Sequence, residues 1–216
     1  MQFLASMLYL VKTPWWVIKW IYPAYTWNMP VNRAKKTLYL TFDDGPHPVA
    51  TTFVLDALKK YNAKATFFCV GKNVPAHPDV YKRIINEGHA VGNHTQNHVN
   101  GWNTADAAYF DNIGLAAKYI DSNLFRPPYG RITRFQARHV KEKLGLQVIM
   151  WSVLSGDFDP RLQPDDCWKN VRKSAKNGSI IVFHDSENAM ERMTYSLTKV
   201  LEYYSSQGFV FDKISV

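Results

Sequence analysis

An α/β chain closed into a (β/α) barrel is what this sequence predicts, on two observations. Strand-like and helix-like segments alternate from residue 37 onward, and the reactive side chains follow several different strands. The expected strands are short and rich in β-branched or aromatic residues: 37–42 (TLYLTF), 65–70 (ATFFCV), 89–93 (HAVGN), 124–126 (LFR), 146–151 (LQVIMW), 178–183 (GSIIVF) and 209–213 (FVFDK). Helical patterns fill the intervals at 50–61, 77–87, 104–122, 133–144, 164–176 and 190–206. Gly88, Gly145 and Gly208 stand where these helices should end in a left-handed residue. Such alternation fits either an open doubly wound sheet or a barrel. Asp43 and Asp44 follow the first strand, His94 the third, Arg126 the fourth, Asp157 the fifth and His184 the sixth. A barrel gathers the ends of many strands over one mouth, whereas an open sheet concentrates its ligands at one switch point.

At 216 residues, 46% of them apolar and 20% charged, the chain suits one sizeable core, with no internal linker or low-complexity tract to divide it. We expect one main domain over 31–216 and a Trp-rich segment over 1–30. The net charge of +8 and pI near 9.4 favour anionic partners. The basic residues are spread through 33–36, 131–143 and 169–176 without a nucleic-acid motif, so no nucleic-acid partner is expected. Cys69 and Cys167 have no CxxC spacing and signal neither a disulfide framework nor a metal site. Residues 1–30 are too broken for a membrane span and lack the positive start and cleavage site of a signal peptide. Trp15, Trp16, Trp20 and Tyr22 beside Lys12 and Lys19 suit peripheral contact with a membrane interface, but packing against the barrel is the preferred expectation. The compartment is left open between cell envelope and cytoplasm.

The chemistry is carried by four clusters. Asp43 and Asp44 leave the first strand in Thr41-Phe42-Asp43-Asp44-Gly45-Pro46; taken alone, Asp-Asp-Gly describes a solvated turn. His94-Thr95-Gln96-Asn97-His98 sets two imidazoles four residues apart, close enough in a helical turn to face one centre. With Asp44 they form two imidazoles and a carboxylate, which suits a catalytic zinc with open positions and also a non-haem iron. Arg126-Pro127-Pro128-Tyr129-Gly130 places a fixed cation at a strand end before a stiff loop. An arginine near Asp43 would keep that carboxylate ionised as a base, and the Tyr129 N–H is a candidate oxyanion donor. The plainer alternative is a tight turn with a surface ion pair. Ile180-Ile181-Val182-Phe183-His184 ends a buried strand on a histidine, a general acid if a carboxylate holds its tautomer; Asp157 is the candidate and Asp185 its competitor.

Together these clusters resemble the polysaccharide deacetylase family, carbohydrate esterase family 4. The likeness covers about residues 37–213, and three motifs match in full: TFDDG at 41–45, H-[S/T]-x-x-H at 94–98 and R-P-P-Y-G at 126–130. The resemblance implies a distorted (β/α) barrel of about seven parallel strands, TIM-barrel-like. It implies Asp43 as general base, and Asp44, His94 and His98 as ligands of one divalent metal ion, zinc first, with cobalt or nickel next. Arg126 would orient Asp43, the Tyr129 amide would line the oxyanion hole, and Asp157 would tether His184, which protonates the leaving amine. Two motifs depart from the family pattern. Leu154-Ser155-Gly156-Asp157-Phe158 stands in place of D-x-x-D-W, and Val182-Phe183-His184 in place of L-x-H. The substrate wall is therefore expected from Pro128, Tyr129, Trp151, Phe158 and Val182, with Trp151 supplying the lost aromatic side.

The implied reaction is metal-assisted removal of acetyl groups from an N-acetylated glycan, with N-acetylglucosamine units of peptidoglycan or a chitin-like polymer leading. O-deacetylation of acetylated xylan or a small ester shares the chemistry. A catalytically silent carbohydrate-binding barrel is the rival from another class, and the complete set of Asp43, Asp44, His94, His98 and His184 argues against it.

Overall fold

The computed structural model describes residues 24–32 and 34–215. Its strands are β1 (Thr37–Asp43), β2 (Ala65–Cys69), β3 (Ala90–Asn93), β4 (Leu124–Phe125), β5 (Gln147–Val148), β6 (Val153–Leu154), β7 (Ile180–His184) and β8 (Val210–Phe211). They pair in the order β5-β4-β3-β2-β1-β7-β6, with β8 added beside the start of β1, and every strand ladder is parallel. The result is the distorted barrel expected, a curled path of seven strands whose ends, β5 and β6, are consecutive in the chain.

The helices are α1 (Ala50–Lys60), α2 (Asn73–Ala76), α3 (Pro78–Asn86), α4 (Asp106–Ala117), α5 (Arg134–Glu142), α6 (Pro164–Ser174) and α7 (Met190–Ser206). Local chemistry fixes their ends. Thr133 and Gln136 form a reciprocal capping box at the start of α5, and α6 begins with Pro164 and the acids Asp165 and Asp166, which suit a helix N-terminus. Gly88, Gly145 and Gly208 take φ of 80°, 67° and 75°, the left-handed endings read from the sequence.

Alternation along β1 divides core from site. Leu38, Leu40 and Phe42 pack outward with Val54, Leu55 and Leu58 of α1 and Leu197, Val200 and Leu201 of α7, all fully buried. Thr41 and Asp43 face inward, where Arg126 reaches both. The interior is closed by Phe68, Leu124, Ile149, Ile180, Ile214 and Met29.

Two expectations change. The strand anticipated over 146–151 ends at Val148, and a separate β6 forms at 153–154. The break has a physical cause. The carbonyls of Ile149 and Met150 accept hydrogen bonds from Arg126 Nε and Nη2, and the Met150 N–H donates to Thr26, so these groups are turned away from a continuing ladder. Asp157 therefore follows the sixth strand and His184 ends the seventh. The helix anticipated over 104–122 is confined to Asp106–Ala117.

The chain before β1 also takes part in the barrel. Thr26 donates to Val148 O, Met29 donates to Gly178 O, and the side chains of Tyr25 and Trp27 pack beside α4 and α5. Residues 1–23, on which the expectation of membrane contact falls, lie outside the described residues. Among the described residues no helix is long and apolar enough to cross a membrane.

His89, just before β3, accepts a hydrogen bond from the Ala65 N–H at Nδ1, and burial, helped by the charge of Lys64, lowers its pKa to about 4. Between about pH 6.5 and 4 the unfolded chain takes up a proton at this residue that the native state excludes. Stability is thus expected to fall as pH drops through that window. His89→Asn, which keeps an acceptor near Nδ1, should flatten the dependence in thermal melts between pH 7 and 5. Identical pH dependence in both proteins would count against this source of acid sensitivity.

Candidate active site

The polar strand ends converge on one cavity of about 480 Å³, lined by Asp43, Asp44, His94, His98, Tyr129 and His184 among others. A second hollow of about 630 Å³ near Tyr81, His89 and Leu124 lies at the opposite ends of the strands. Among the described residues the cluster with metal-ligand spacing belongs to the first cavity.

Asp43 is the last residue of β1 and lies in register with His184 of β7. Arg126 is wholly buried and is no surface ion pair: its Nη1 donates to Asp43 Oδ1 at 2.7 Å and to Thr41 Oγ1 at 2.7 Å. Two backbone carbonyls hold the rest of the guanidinium, which stacks 4.1 Å from the Phe68 ring centroid. This partner fixes the buried carboxylate in direction; stripping one partner from a buried pair typically costs about 3–5 kcal/mol.

Asp44 turns the chain with φ of 83°, which aims its carboxylate at the cavity mouth. Its Oδ1 lies 3.2 Å from His98 Nε2 and 3.8 Å from His94 Nε2, yet accepts no well-formed hydrogen bond. The three ligand atoms all fall within 4.8 Å of one another. The tautomer of His94 follows from its second contact: Nδ1 lies 2.7 Å from the Arg126 carbonyl, which can only accept, so Nδ1 carries the hydrogen and the Nε2 lone pair faces Asp44. Burial lowers the His94 pKa to about 4, so the ring is neutral at ordinary pH. Burial pushes Asp44 up, but the imidazoles of His98, His184 and His94 outweigh it and hold the carboxyl below its usual range. A lone pair aimed at a carboxylate with no proton between them fits a cation shared by the two.

The His94–His98 pair does not converge as a helical turn. Residues 94–98 are irregular, with left-handed Thr95 (φ 63°) and His98 (φ 56°), and the Thr95 N–H donates to Asn93 Oδ1. Tyr129 is also left-handed (φ 61°) and leans its ring on His98, centroids 4.6 Å apart. Left-handed non-glycine residues cost about 1–2 kcal/mol each, so Asp44, Thr95, His98 and Tyr129 store strain at one place.

His184 is gripped by Asp157, not by Asp185. Its ring Nδ1 lies 2.8 Å from Asp157 Oδ1 and its backbone N–H donates to Asp157 Oδ2 at 2.8 Å. Nε2 is therefore left for the cavity. Burial disfavours the charged ring, but Asp157, with help from Asp44 and Asp43, outweighs it and raises the pKa to about 9. Ser155 donates to the same Asp157 oxygen, and Phe158 sets its edge against the imidazole at 5.1 Å. Asp185 instead accepts from the Gly45 N–H and the Thr51 hydroxyl, bracing the turn after Asp44.

Trp151, Phe158, Val182 and Tyr129 line the cavity, whereas Pro128 is buried in the turn and is absent from the wall. Leu154, in place of an acid, contributes apolar wall. The sequence reading missed Trp102, Gly130 and Arg131, which also line the cavity. The available signal was an aromatic residue in the Asn-Gly-Trp-Asn loop just after the histidine pair.

Residues 31–149 match the family model described as polysaccharide deacetylase. A peptidoglycan-N-acetylglucosamine deacetylase of Bacillus cereus is 37% identical over 199 residues, covering 88% of this chain and 91% of the relative. A chitooligosaccharide deacetylase of Azorhizobium caulinodans is 34% identical, covering 72% of this chain and 76% of the relative. Among solved structures, the Bc1960 peptidoglycan N-acetylglucosamine deacetylase in complex with a benzamide ligand superposes with a TM-score of 0.84 at 31% identity, covering 94% of this chain and 95% of that one. The parallel barrel with its acid and imidazole groups at one mouth is that of a polysaccharide deacetylase, and the chain belongs to that family, carbohydrate esterase family 4.

Proposed function

We propose that this chain is a metal-dependent deacetylase that hydrolyses the acetamido group of N-acetylglucosamine units in a polysaccharide such as peptidoglycan. One observation carries the reading. A ligand-spaced Asp44, His94 and His98 sits between an arginine-held carboxylate, Asp43, and an aspartate-held imidazole, His184. A base and an acid flanking a cation site match the two proton transfers of amide hydrolysis.

Asp44, His94 and His98 would hold a divalent ion, with zinc favoured by the donor set, and when bound it would supply Lewis acidity toward the acetyl carbonyl and the attacking water. Asp43 takes the proton from the attacking water, its carboxylate aimed by Arg126. The Tyr129 N–H serves the developing oxyanion, positioned by the left-handed turn. His184 donates from Nε2 to the departing nitrogen, since Asp157 occupies Nδ1. An amine leaves poorly without a proton, which is why a well-held acid favours the amide over the ester reading. Trp151, Leu154, Phe158 and Val182 give the acetyl methyl an apolar surround.

The test is acetate release across peptidoglycan, chitin oligomers and acetyl-xylan, before and after chelation. Release from the N-acetylated glycans, abolished by chelation and restored by zinc or cobalt, is the expected outcome. Release from acetyl-xylan alone would replace this reading with O-deacetylation, and no release from any glycan would leave a binding barrel.

A further inference from the structure

At the rim of the cavity, two side chains outside the acid, base and ligand set form a pair. The Arg131 guanidinium lies over the Trp102 ring, 5.3 Å from its centroid, within the range of a cation–π contact. Trp102 is 61% exposed, so a large indole surface stays open to solvent beside the site. It is not loose: its Nε1–H donates to the Ile132 carbonyl at 3.2 Å, and its backbone N–H donates to Asn100 Oδ1. The loops bearing the pair are locked together. Gly101 passes so close to the Arg131 carbonyl that a Cβ there would lie 2.6 Å from it, and Gln136, the capping residue of α5, donates to the Gly101 carbonyl.

Charge decides what this rim holds. Of the acids in the cavity wall, Asp43 is matched by Arg126, and Asp44 faces the two imidazoles. Among the described residues no carboxylate lies within ion-pair distance of Arg131, which leaves a planar, pre-positioned cation at the mouth. Such a fork pairs best with a carboxylate, and an exposed indole beside it suits the C–H face of a sugar ring.

We infer that Trp102 and Arg131 form a subsite for a carboxylate-bearing sugar next to the N-acetylated sugar undergoing hydrolysis. This rests on the deacetylase reading for the placement of the reacting sugar. It makes Arg131 a specificity residue that favours acidic glycans over neutral ones, and Trp102 a platform serving both.

The experiment compares three oligosaccharides of equal length: peptide-free glycan alternating N-acetylglucosamine with N-acetylmuramic acid, the same glycan with its lactyl carboxylates converted to amides, and a chitin oligomer. The quantity read is the ratio of kcat/KM for the carboxylated over the amidated glycan. Wild type is expected to favour the carboxylate by about tenfold, the size of one charged hydrogen-bonded contact. Arg131→Ala should bring the ratio to about one, and Arg131→Lys should restore part of it; Trp102→Ala should weaken all three substrates. Raising salt should erode the wild-type preference. General damage to the fold would lower all rates without moving the ratio. Calorimetric binding of the same glycans to the chelated protein gives the contrast without turnover. An inactive protein that still binds the acidic glycan more tightly through Arg131 would therefore sink the deacetylase reading alone. No carboxylate preference in wild type, or an unchanged ratio in Arg131→Ala, overturns the subsite.

Discussion

Replacing His184 by alanine is expected to lower kcat for acetate release by about 100- to 10,000-fold while the protein keeps its metal. The expectation follows from how the ring is held. Asp157 takes both the Nδ1 hydrogen and the His184 backbone N–H, which fixes the orientation and leaves Nε2 for the substrate. The same carboxylate raises the ring pKa to about 9 against the effect of burial, so the imidazole holds the proton that a general acid must give. His184 is outside the Asp44, His94 and His98 group, so its loss leaves the ligands intact. Metal content of the purified variant, measured beside its turnover, is the check. A variant that loses metal where wild type loads it would make His184 a ligand and remove the acid from the mechanism.

How far the sequence carried this picture depends on what each residue's neighbours had to do. The strand ends bearing Asp43, His94, Arg126 and His184 were legible because a buried apolar run ending in a polar residue is a local pattern. The convergence of those ends follows from parallel barrel topology. The break between β5 and β6 was not legible, because Val148-Ile149-Met150-Trp151 runs on as four apolar residues with no turn signal. What interrupts it is the demand of Arg126, more than twenty residues upstream in the chain, on the carbonyls of Ile149 and Met150. The helical-turn reading of the histidine pair failed for a related reason. Spacing of four is compatible with a helix, but Asn93 caps the Thr95 N–H and the chain turns through left-handed residues instead. Trp102 and Arg131 escaped because neither residue signals a reaction; their meaning lies in the cavity rim that only the fold creates. The participation of Thr26 and Met29 in the barrel is likewise a matter of backbone hydrogen bonds, to which side-chain patterns are blind.

The adjacent carboxylates give the widest separation of outcomes. Asp43 points into the barrel as the last residue of β1 and is held by Arg126, while Asp44, one residue later at φ of 83°, faces the two imidazoles. Neighbours so differently directed cannot exchange roles. Asp44→Asn removes the one charged ligand, so it is expected to purify with little metal and to recover part of its activity when zinc or cobalt is supplied in excess. Asp43→Asn keeps the ligands and should hold metal like wild type, but it leaves the attacking water without a proton acceptor. Its kcat should fall by about 100- to 10,000-fold, and no excess of metal should restore it. The two variants are to be titrated with metal while acetate release and bound metal are followed together. Rescue of Asp43→Asn by metal, or equal metal loss in both proteins, would overturn the division into base and ligand and reverse the assignment of which carboxylate faces the ion.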